Sequence, residues 1–231
     1  MNLEPLFRVI KTQAAQPNRL VKMKINRELI SALEGPIEDL GKETAEAVWD
    51  TALDDGFLKS IPFVGAMFAV KDGVVAIRDR IFAAKVARFI RSVASLSASD
   101  RARAVDLLAG TATKRERLGE ILLSKIDRSD PIHKPEMLAN LFIALGRGRV
   151  AAADFDRLSD MVVQVFMGDY RVLSERCEVA DIEESRRFAL QASGFLAWEI
   201  DQTYAGGGAT LKWSITKDGL AILNNCRLSP S

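Results

Sequence analysis

The sequence predicts an all-α protein with a small β-hairpin near its C-terminus. Two observations indicate helices: alanine, leucine and arginine are plentiful while glycine and proline are sparse, and apolar residues recur at helical spacing. A third observation places the hairpin, because residues 210–215 alternate polar and apolar after a run of three glycines. At 231 residues, the chain allows one large domain or two small ones.

The N-terminal region predicts helices separated by turn signals. Gln16-Pro17-Asn18 ends the opening segment, and a helix over Leu20 to Leu33 stops at Gly35-Pro36. An acidic amphipathic helix is expected over Ile37 to Leu53, with Trp49 turned inward.

Residues 57–91 combine an apolar helical hairpin with a basic amphipathic helix. Pro62 suits a first helical turn, Gly65 allows another helix to approach closely, and Gly73 bends or ends the first arm. From residue 74 onward an apolar stripe runs beside several cations. The candidate membrane or partner hairpin comprises Pro62, Phe63, Gly65, Phe68 and Gly73, and the candidate basic face comprises Arg78, Arg80, Arg88 and Arg91.

The central region predicts shorter helices with capping signals. Ser99-Asp100 is expected to cap a helix through Leu108, and Thr113 opens a Thr-x-x-Glu capping box for a helix to about Ile126. A tight turn at Gly146-Arg147-Gly148 then joins two helices into an αα-hairpin. The predicted buried residues are Leu138, Leu141, Phe142 and Leu145 in its first helix and Phe155, Leu158, Met161, Val162, Val165 and Phe166 in its second.

The pattern changes near residue 170, so we predict a helical body over 1–170 and a separate C-terminal region over 171–231. After a helix from Tyr170 to Glu178, Asp181 is expected to cap a helix over Ile182 to Ala192. The hairpin arms follow, and Thr216 is expected to cap a final helix over 217–225.

The stretch Leu58-Lys59-Ser60-Ile61-Pro62-Phe63-Val64-Gly65, followed by Ala76-Ile77-Arg78-Asp79-Arg80-Ile81-Phe82, resembles a group of uncharacterised bacterial all-helical proteins. Their hallmark is a Pro-Gly apolar helix that leads into a charged helix. The resemblance continues through Glu116 to Leu158 and covers about half of the chain by pattern. It implies a prokaryotic origin and a helical fold, and it does not indicate a function because that group has no assigned activity.

A second resemblance is to the final part of winged-helix domains. Leu190 to Leu196 is similar to their helix ending before the wing, and Trp213 to Leu223 is similar to the strand and helix that follow the wing. The resemblance implies a helix, hairpin, helix topology. The candidate wing residues are Arg186, Arg187, Lys212, Trp213 and Lys217. A DNA-recognition helix should not present carboxylates in its first turns, as Asp181, Glu183 and Glu184 do here, so a structural or protein-contact role is favoured.

The net charge of +1 conceals blocks of opposite sign. Residues 28–56 carry one cation and nine acids, whereas residues 57–149 carry seventeen cations and nine acids. Pairing of these blocks within the fold or between copies is the favoured interpretation, and an anionic partner for the basic block is the alternative.

Few residues in this chain are suited to catalysis. His133 is the single histidine and is expected at the surface, and Cys177 and Cys226 lack the spacing of a redox or metal pair. The sequence contains neither a Walker-type phosphate loop nor a nucleophile elbow, and Gly206-Gly207-Gly208 lies between strand-like segments. We therefore expect no enzyme activity, metal or cofactor.

Three functional hypotheses remain at this stage. The favoured one is a non-enzymatic interaction or regulatory protein that contacts a protein partner or another copy of itself. The second is a membrane-active effector of toxin or phage-defence type, using residues 57–91 at an anionic bilayer. The third is a winged-helix DNA-binding regulator. The first ten residues lack a secretory pattern and the longest apolar stretch has ten residues, so we expect a cytoplasmic protein, or one peripheral to the inner membrane face under the second hypothesis.

Overall fold

The structure, a computed structural model, describes residues 25–35, 37, 77–130, 133–175, 178–201 and 210–227. These residues are mostly helical, with one two-stranded antiparallel sheet near the C-terminus, as the sequence predicts. The elements are α1 (helical residues 25–34), α2 (Ile77–Ala94), α3 (Ala98–Leu108), α4 (Ala112–Arg128), α5 (Lys134–Gly146), α6 (Ala152–Gln164), α7 (Met167–Glu175), a 3-10 turn (Val179–Asp181), α8 (Glu184–Ala192), β1 (Leu196–Asp201), β2 (Thr210–Ile215) and α9 (Lys217–Asn225).

The chain divides into two compact units, one that ends at Asp127 and one that begins at Arg128. The change of sequence pattern near residue 170 lies within the second unit. The predicted helix over 37–53 and the first arm of the apolar hairpin lie outside the described residues, apart from residue 37 itself.

In the first unit, α1 packs closely on α4. Leu29, Ile30 and Leu33 of α1 are buried. A side chain at Gly119 of α4 would place its Cβ 2.5 Å from the main-chain oxygen of Asn26, so only glycine allows this approach. An ion pair between Arg27 and Glu116, 3.2 Å apart, lies at the surface between the same two helices.

Two buried cations of this unit donate to the carbonyl ends of helices. Arg101, whose side chain is 3% exposed, donates to the main-chain oxygens of Leu33, Leu96 and Gly35. Leu33 and Gly35 lie at the end of α1, and Leu96 follows α2. The Lys85 Nζ donates at 2.6 Å to the oxygen of Asp127 in the last turn of α4. The last carbonyls of a helix lack the N–H groups of a following turn, so cations placed there satisfy acceptors near the helix ends.

Two predicted helix starts are shifted. The predicted cap Ser99-Asp100 is wrong, because Ser97 accepts a hydrogen bond from the Asp100 main-chain nitrogen at 3.1 Å and its hydroxyl donates to the Asp100 carboxylate. Ser97 is therefore the N-cap of α3, and Asp100 occupies the third helical position. In α4, Thr111 accepts from the Lys114 nitrogen at 3.4 Å, so the helix begins before the predicted Thr113.

In the second unit, α5 and α6 form the predicted αα-hairpin around Gly148, whose φ of 71° favours glycine. Phe142 and Phe155 meet edge to face across it, with ring centroids 6.3 Å apart. The prediction that Phe166 is buried is wrong. Because α6 ends at Gln164 and Val165 adopts an extended backbone, Phe166 leaves the helix face and is exposed.

A third buried cation lies in this unit. The Lys134 Nζ donates at 2.7 Å to the oxygen of Val163, in the last turn of α6. Burial lowers the pKa of the Lys134 ammonium, and the nearby Asp130 carboxylate partly opposes this shift.

Tyr170 and Cys226 form a polar contact inside the second unit. The Tyr170 hydroxyl donates to the main-chain oxygen of Cys226 at 2.9 Å, and its ring packs edge to face on Phe195. Burial raises the pKa of the Tyr170 hydroxyl and raises the pKa of the Cys226 thiol to about 12. Both groups are therefore held neutral, and Cys226 is a free, buried thiol.

The C-terminal end follows the predicted order of helix, hairpin and helix, with one change at the first helix. Asp181 does not cap α8, because it belongs to the 3-10 turn and Ile182 is extended and buried before the helix begins at Glu184. Thr216 caps α9 as predicted, accepting from the Gly219 nitrogen at 2.9 Å. The predicted glycine turn at 206–208 lies outside the described residues.

Replacing Arg101 with alanine is expected to lower the free energy of unfolding by about 3 kcal/mol, because buried helix-terminal carbonyls lose a charged donor. Urea denaturation followed by circular dichroism measures this change. Arg103→Ala is the matched control, since Arg103 is exposed on the same helix, and should cost less than about 0.5 kcal/mol. Equal costs for the two variants would show that the buried hydrogen bonds contribute little.

The free energy of unfolding is expected to fall as pH rises from the ordinary thiol pKa of 9.0 toward the folded pKa of about 12 for Cys226. An acid whose pKa is raised by folding stabilises the fold below its unfolded pKa, and that contribution is lost as pH rises through the folded value. Urea titrations at a series of alkaline pH values should show a shallower fall for Cys226→Ala than for the wild type. The lowered pKa of Lys134 makes its contribution to the free energy of unfolding rise with pH. This contribution is the same in both proteins, so it cancels from the comparison. An identical pH dependence of the unfolding free energy in the two proteins would contradict a raised pKa for Cys226.

Candidate functional site

The candidate site is the C-terminal hairpin together with α8. The strands pair antiparallel so that three apolar pairs share one sheet face: Leu196 with Ile215, Trp198 with Trp213, and Ile200 with Leu211. The intervening positions belong to the opposite face, where Glu199 pairs with Lys212. The hairpin therefore has one apolar and one polar face.

The apolar face is covered at its base and open farther along the strands. Leu196 is buried, whereas Trp198 is 44% exposed and Ile200 is 54% exposed. Single exposed apolar side chains are common on protein surfaces, whereas several that lie side by side often mark an interaction site. We call Phe188, Trp198 and Ile200, with the half-buried Trp213 between them, the wing face.

Helix α8 contributes to this face through two contacts on Trp213. The Phe188 ring meets Trp213 edge to face, with centroids 5.1 Å apart and an interplanar angle of 83°. The Arg187 guanidinium carbon lies 5.5 Å from the centroid of the Trp213 ring, within cation–π range. Phe188 is still 43% exposed, so these contacts hold the ring in place without covering it.

Three of the four predicted wing cations are engaged within the unit. Arg186 lies 3.0 Å from the buried carboxylate of Asp169, and Lys212 lies 3.1 Å from Glu199 across the strands. Arg187 stacks on Trp213, as described above. The remaining cation, Lys217, is exposed at the first residue of α9. The wing face is therefore apolar with little uncommitted positive charge around it.

The candidate basic face of α2 differs from the expectation. Arg88 is only 6% exposed and Arg91 is half-buried, so these two residues do not form an exposed basic surface. Residues 83–90 are all buried, because this helix crosses the core of the first unit. Arg78 and Arg80 have helical backbone, and their side chains lie outside the described residues, as do Pro62, Phe63, Gly65, Phe68 and Gly73.

The single histidine, His133, lies beside an arginine. His133 precedes α5, and its Nε2 lies 2.6 Å from the Arg171 guanidinium. The described part of the chain contains no group of three histidine, cysteine or acidic residues placed to hold a metal ion. Cys177 lies outside it.

Trp213 is among the residues that the sequence predicts for the wing, whereas Phe188, Trp198 and Ile200 are not. The alternation of β2 was recognised, and pairing it in register with the first arm would have placed Trp198 opposite Trp213. The exposure of these residues has no sequence signal, since the same alternation describes a hairpin whose apolar face is buried.

Comparisons with known protein families, with curated proteins and with solved structures find no match to this chain. The resemblances to the bacterial helical group and to winged-helix domains therefore stay predictions.

The contact between Phe188 and Trp213 is expected to contribute a coupling free energy of about 0.5–1.5 kcal/mol, the range for edge-to-face aromatic pairs. A double-mutant cycle of Phe188→Ala and Trp213→Ala, followed by urea denaturation, measures it. Phe188→Ala combined with Leu107→Ala is the control, because Leu107 lies in the other compact unit and its effect should be additive. A coupling indistinguishable from that control would show that the two rings act independently.

Proposed function

We propose that this chain is a non-enzymatic interaction protein that binds a protein partner through the wing face. The observation that carries this proposal is the exposure of three large apolar side chains, Phe188, Trp198 and Ile200, on the hairpin and its adjoining helix. Exposed aromatic residues anchored by neighbouring contacts are typical of the centre of a protein interface, where tryptophan contributes more than most residues.

The charges around the wing face favour a protein partner over a nucleic acid. Binding to phosphates requires cations that are free to face them. The Arg186 guanidinium contacts the buried Asp169 carboxylate, and Arg187 lies over the Trp213 ring. Lys212 is paired with Glu199 in an exposed ion pair. The first turn of α8 also carries Glu184, next to Glu183, and both are exposed. A helix that starts in this way would repel a DNA backbone.

The order α8, β1, β2, α9 supports a winged-helix-like arrangement of this end of the chain. Gly194, with a φ of 86°, turns the chain from α8 into β1, and the Thr216 hydroxyl donates to the Gly194 oxygen at 2.7 Å. This bond joins the start of the hairpin to its end. The arrangement supplies a rigid base for the wing face, which suits a binding surface.

The membrane-effector hypothesis gains no support from α2. Val86, Phe89 and Ile90, three residues of its apolar stripe, are buried in the first unit. Within the ranges that the structure describes, no helix is both long and apolar enough to cross a bilayer.

A photo-crosslinking amino acid introduced at Trp198 or Phe188 is expected to crosslink to one discrete protein in cells, because both positions would face the partner. The same amino acid at Lys212 is the matched control, since Lys212 is exposed on the opposite face of the same sheet. Mass spectrometry of the crosslinked product identifies the partner.

The proposal also requires that Trp198→Glu abolish the crosslink formed from position 188 while circular dichroism shows an unchanged fold. Equal crosslinking from Lys212 and Trp198, or none from either wing-face position, would contradict the proposal.

A further inference from the structure

We infer that the outer edge of β1 binds an extended strand of the partner, one that alternates apolar and basic residues. This inference rests on the proposed function and specifies how the wing face is occupied. It follows from the direction of the main-chain hydrogen bonds, the exposure of β1 and the charge of that strand.

The hydrogen-bond pattern shows which main-chain groups of β1 face outward. The Thr216 nitrogen donates to the Phe195 oxygen at 2.9 Å, and Leu196 pairs with Ile215 in register. In an antiparallel ladder, this makes positions 195, 197, 199 and 201 the ones that bond to β2. The N–H and C=O groups of Leu196, Trp198 and Ile200 therefore face the outer edge of β1.

That edge is open over the described residues. The sheet there has two strands, so no third strand lies beside β1. Residues 197–200 are all exposed, whereas residues of the 3-10 turn at 179–181 pack against β2. Natural edge strands are often protected by a proline, a bulge or charged side chains. The sequence of β1 has no proline or lysine, its register with β2 is continuous, and its charges are the acids Glu199 and Asp201. An added strand would satisfy the outward main-chain groups by β-augmentation.

The side chains of β1 specify the chemistry of the added strand. On the wing face, Trp198 and Ile200 offer apolar neighbours for alternate residues of the incoming strand. On the opposite face, Glu199 is 70% exposed, and its Oε1 contacts Lys212 at 3.1 Å across the ladder. An ionised carboxylate has acceptor capacity for a second cation beside this pair. The sequence of β1 contains two carboxylates and no cation, so a second copy of β1 would bring like charges together. A strand with basic residues between apolar ones fits both faces.

A synthetic peptide of strand length that alternates valine and lysine is the probe, and fluorescence anisotropy measures its binding to the full chain. It should bind at least about tenfold more tightly than a peptide that alternates valine and glutamate, and its affinity should fall with added salt. Methylation of successive peptide nitrogens should weaken binding at every second position only, because alternate N–H groups of an added strand face β1.

Variants of β1 provide the matched test on the protein. Ile200→Pro removes an outward donor without removing a bond of the hairpin ladder, because edge strands tolerate proline where its nitrogen faces outward. The Ile200→Pro variant should therefore not bind the peptide. Ile200→Ala keeps the N–H, so its peptide affinity should fall by only about five- to tenfold, because the apolar contact is smaller. Circular dichroism and the urea midpoint verify that both variants fold.

Equal binding by Ile200→Pro and Ile200→Ala, or methylation effects without a two-residue period, would overturn the edge assignment. Failure of the valine–lysine peptide to bind would overturn it as well. In each of these cases, a crosslink that persists from Trp198 and Phe188 would show that the proposed function holds and that the partner contacts side chains alone. Loss of that crosslink would instead remove the proposed function.

Discussion

Both units of this protein depend on buried cations that donate to the carbonyl ends of helices. Arg101 and Lys85 do this in the first unit, and Lys134 does it in the second. Short helices leave a large share of their carbonyls without partners, and a core built from such helices must satisfy these groups where water is excluded. A cation is well suited to a helix C-terminus, because the helix dipole places partial negative charge there.

The burial of these cations changes how the positive charge of the central block should be interpreted. Residues 57–149 have an excess of positive charge in sequence, which would suit an anionic partner. Several of the cations in that block are nevertheless buried: Lys85, Arg88, Arg101, Lys125 and Lys134. A charge inside the core contributes little to a surface that a phosphate could approach. The basic block is therefore in part a structural feature of the helical core, and its net charge overstates the surface potential.

The wing face shows the reverse situation, because large apolar side chains there are exposed. Leu196 and Ile215 close the base of the hairpin, and Thr216 and Gly194 fix it to α8 and α9. Gly219 allows α9 to approach the Phe195 carbonyl so closely that any Cβ would lie 2.5 Å from it. The rigid base leaves Trp198 and Ile200 projecting beyond the core. A surface with its anchors fixed in advance loses less conformational entropy on binding.

The sequence by itself determined the order of elements and their type. Helical periodicity, turn residues and alternation predicted α5, α6, β2 and α9 and the Thr216 cap, because these signals are local and each involves residues close in the chain. Helix starts were less certain, since Ser97 and Ser99 offer similar hydroxyls and only the distance to Asp100 selects the first. Only the tertiary structure decided which side chains are covered. Arg88 and Trp198 both lie in amphipathic segments, yet the cation is buried and much of the tryptophan is exposed. Burial depends on what packs against a face from distant parts of the chain, and no local pattern encodes that neighbour.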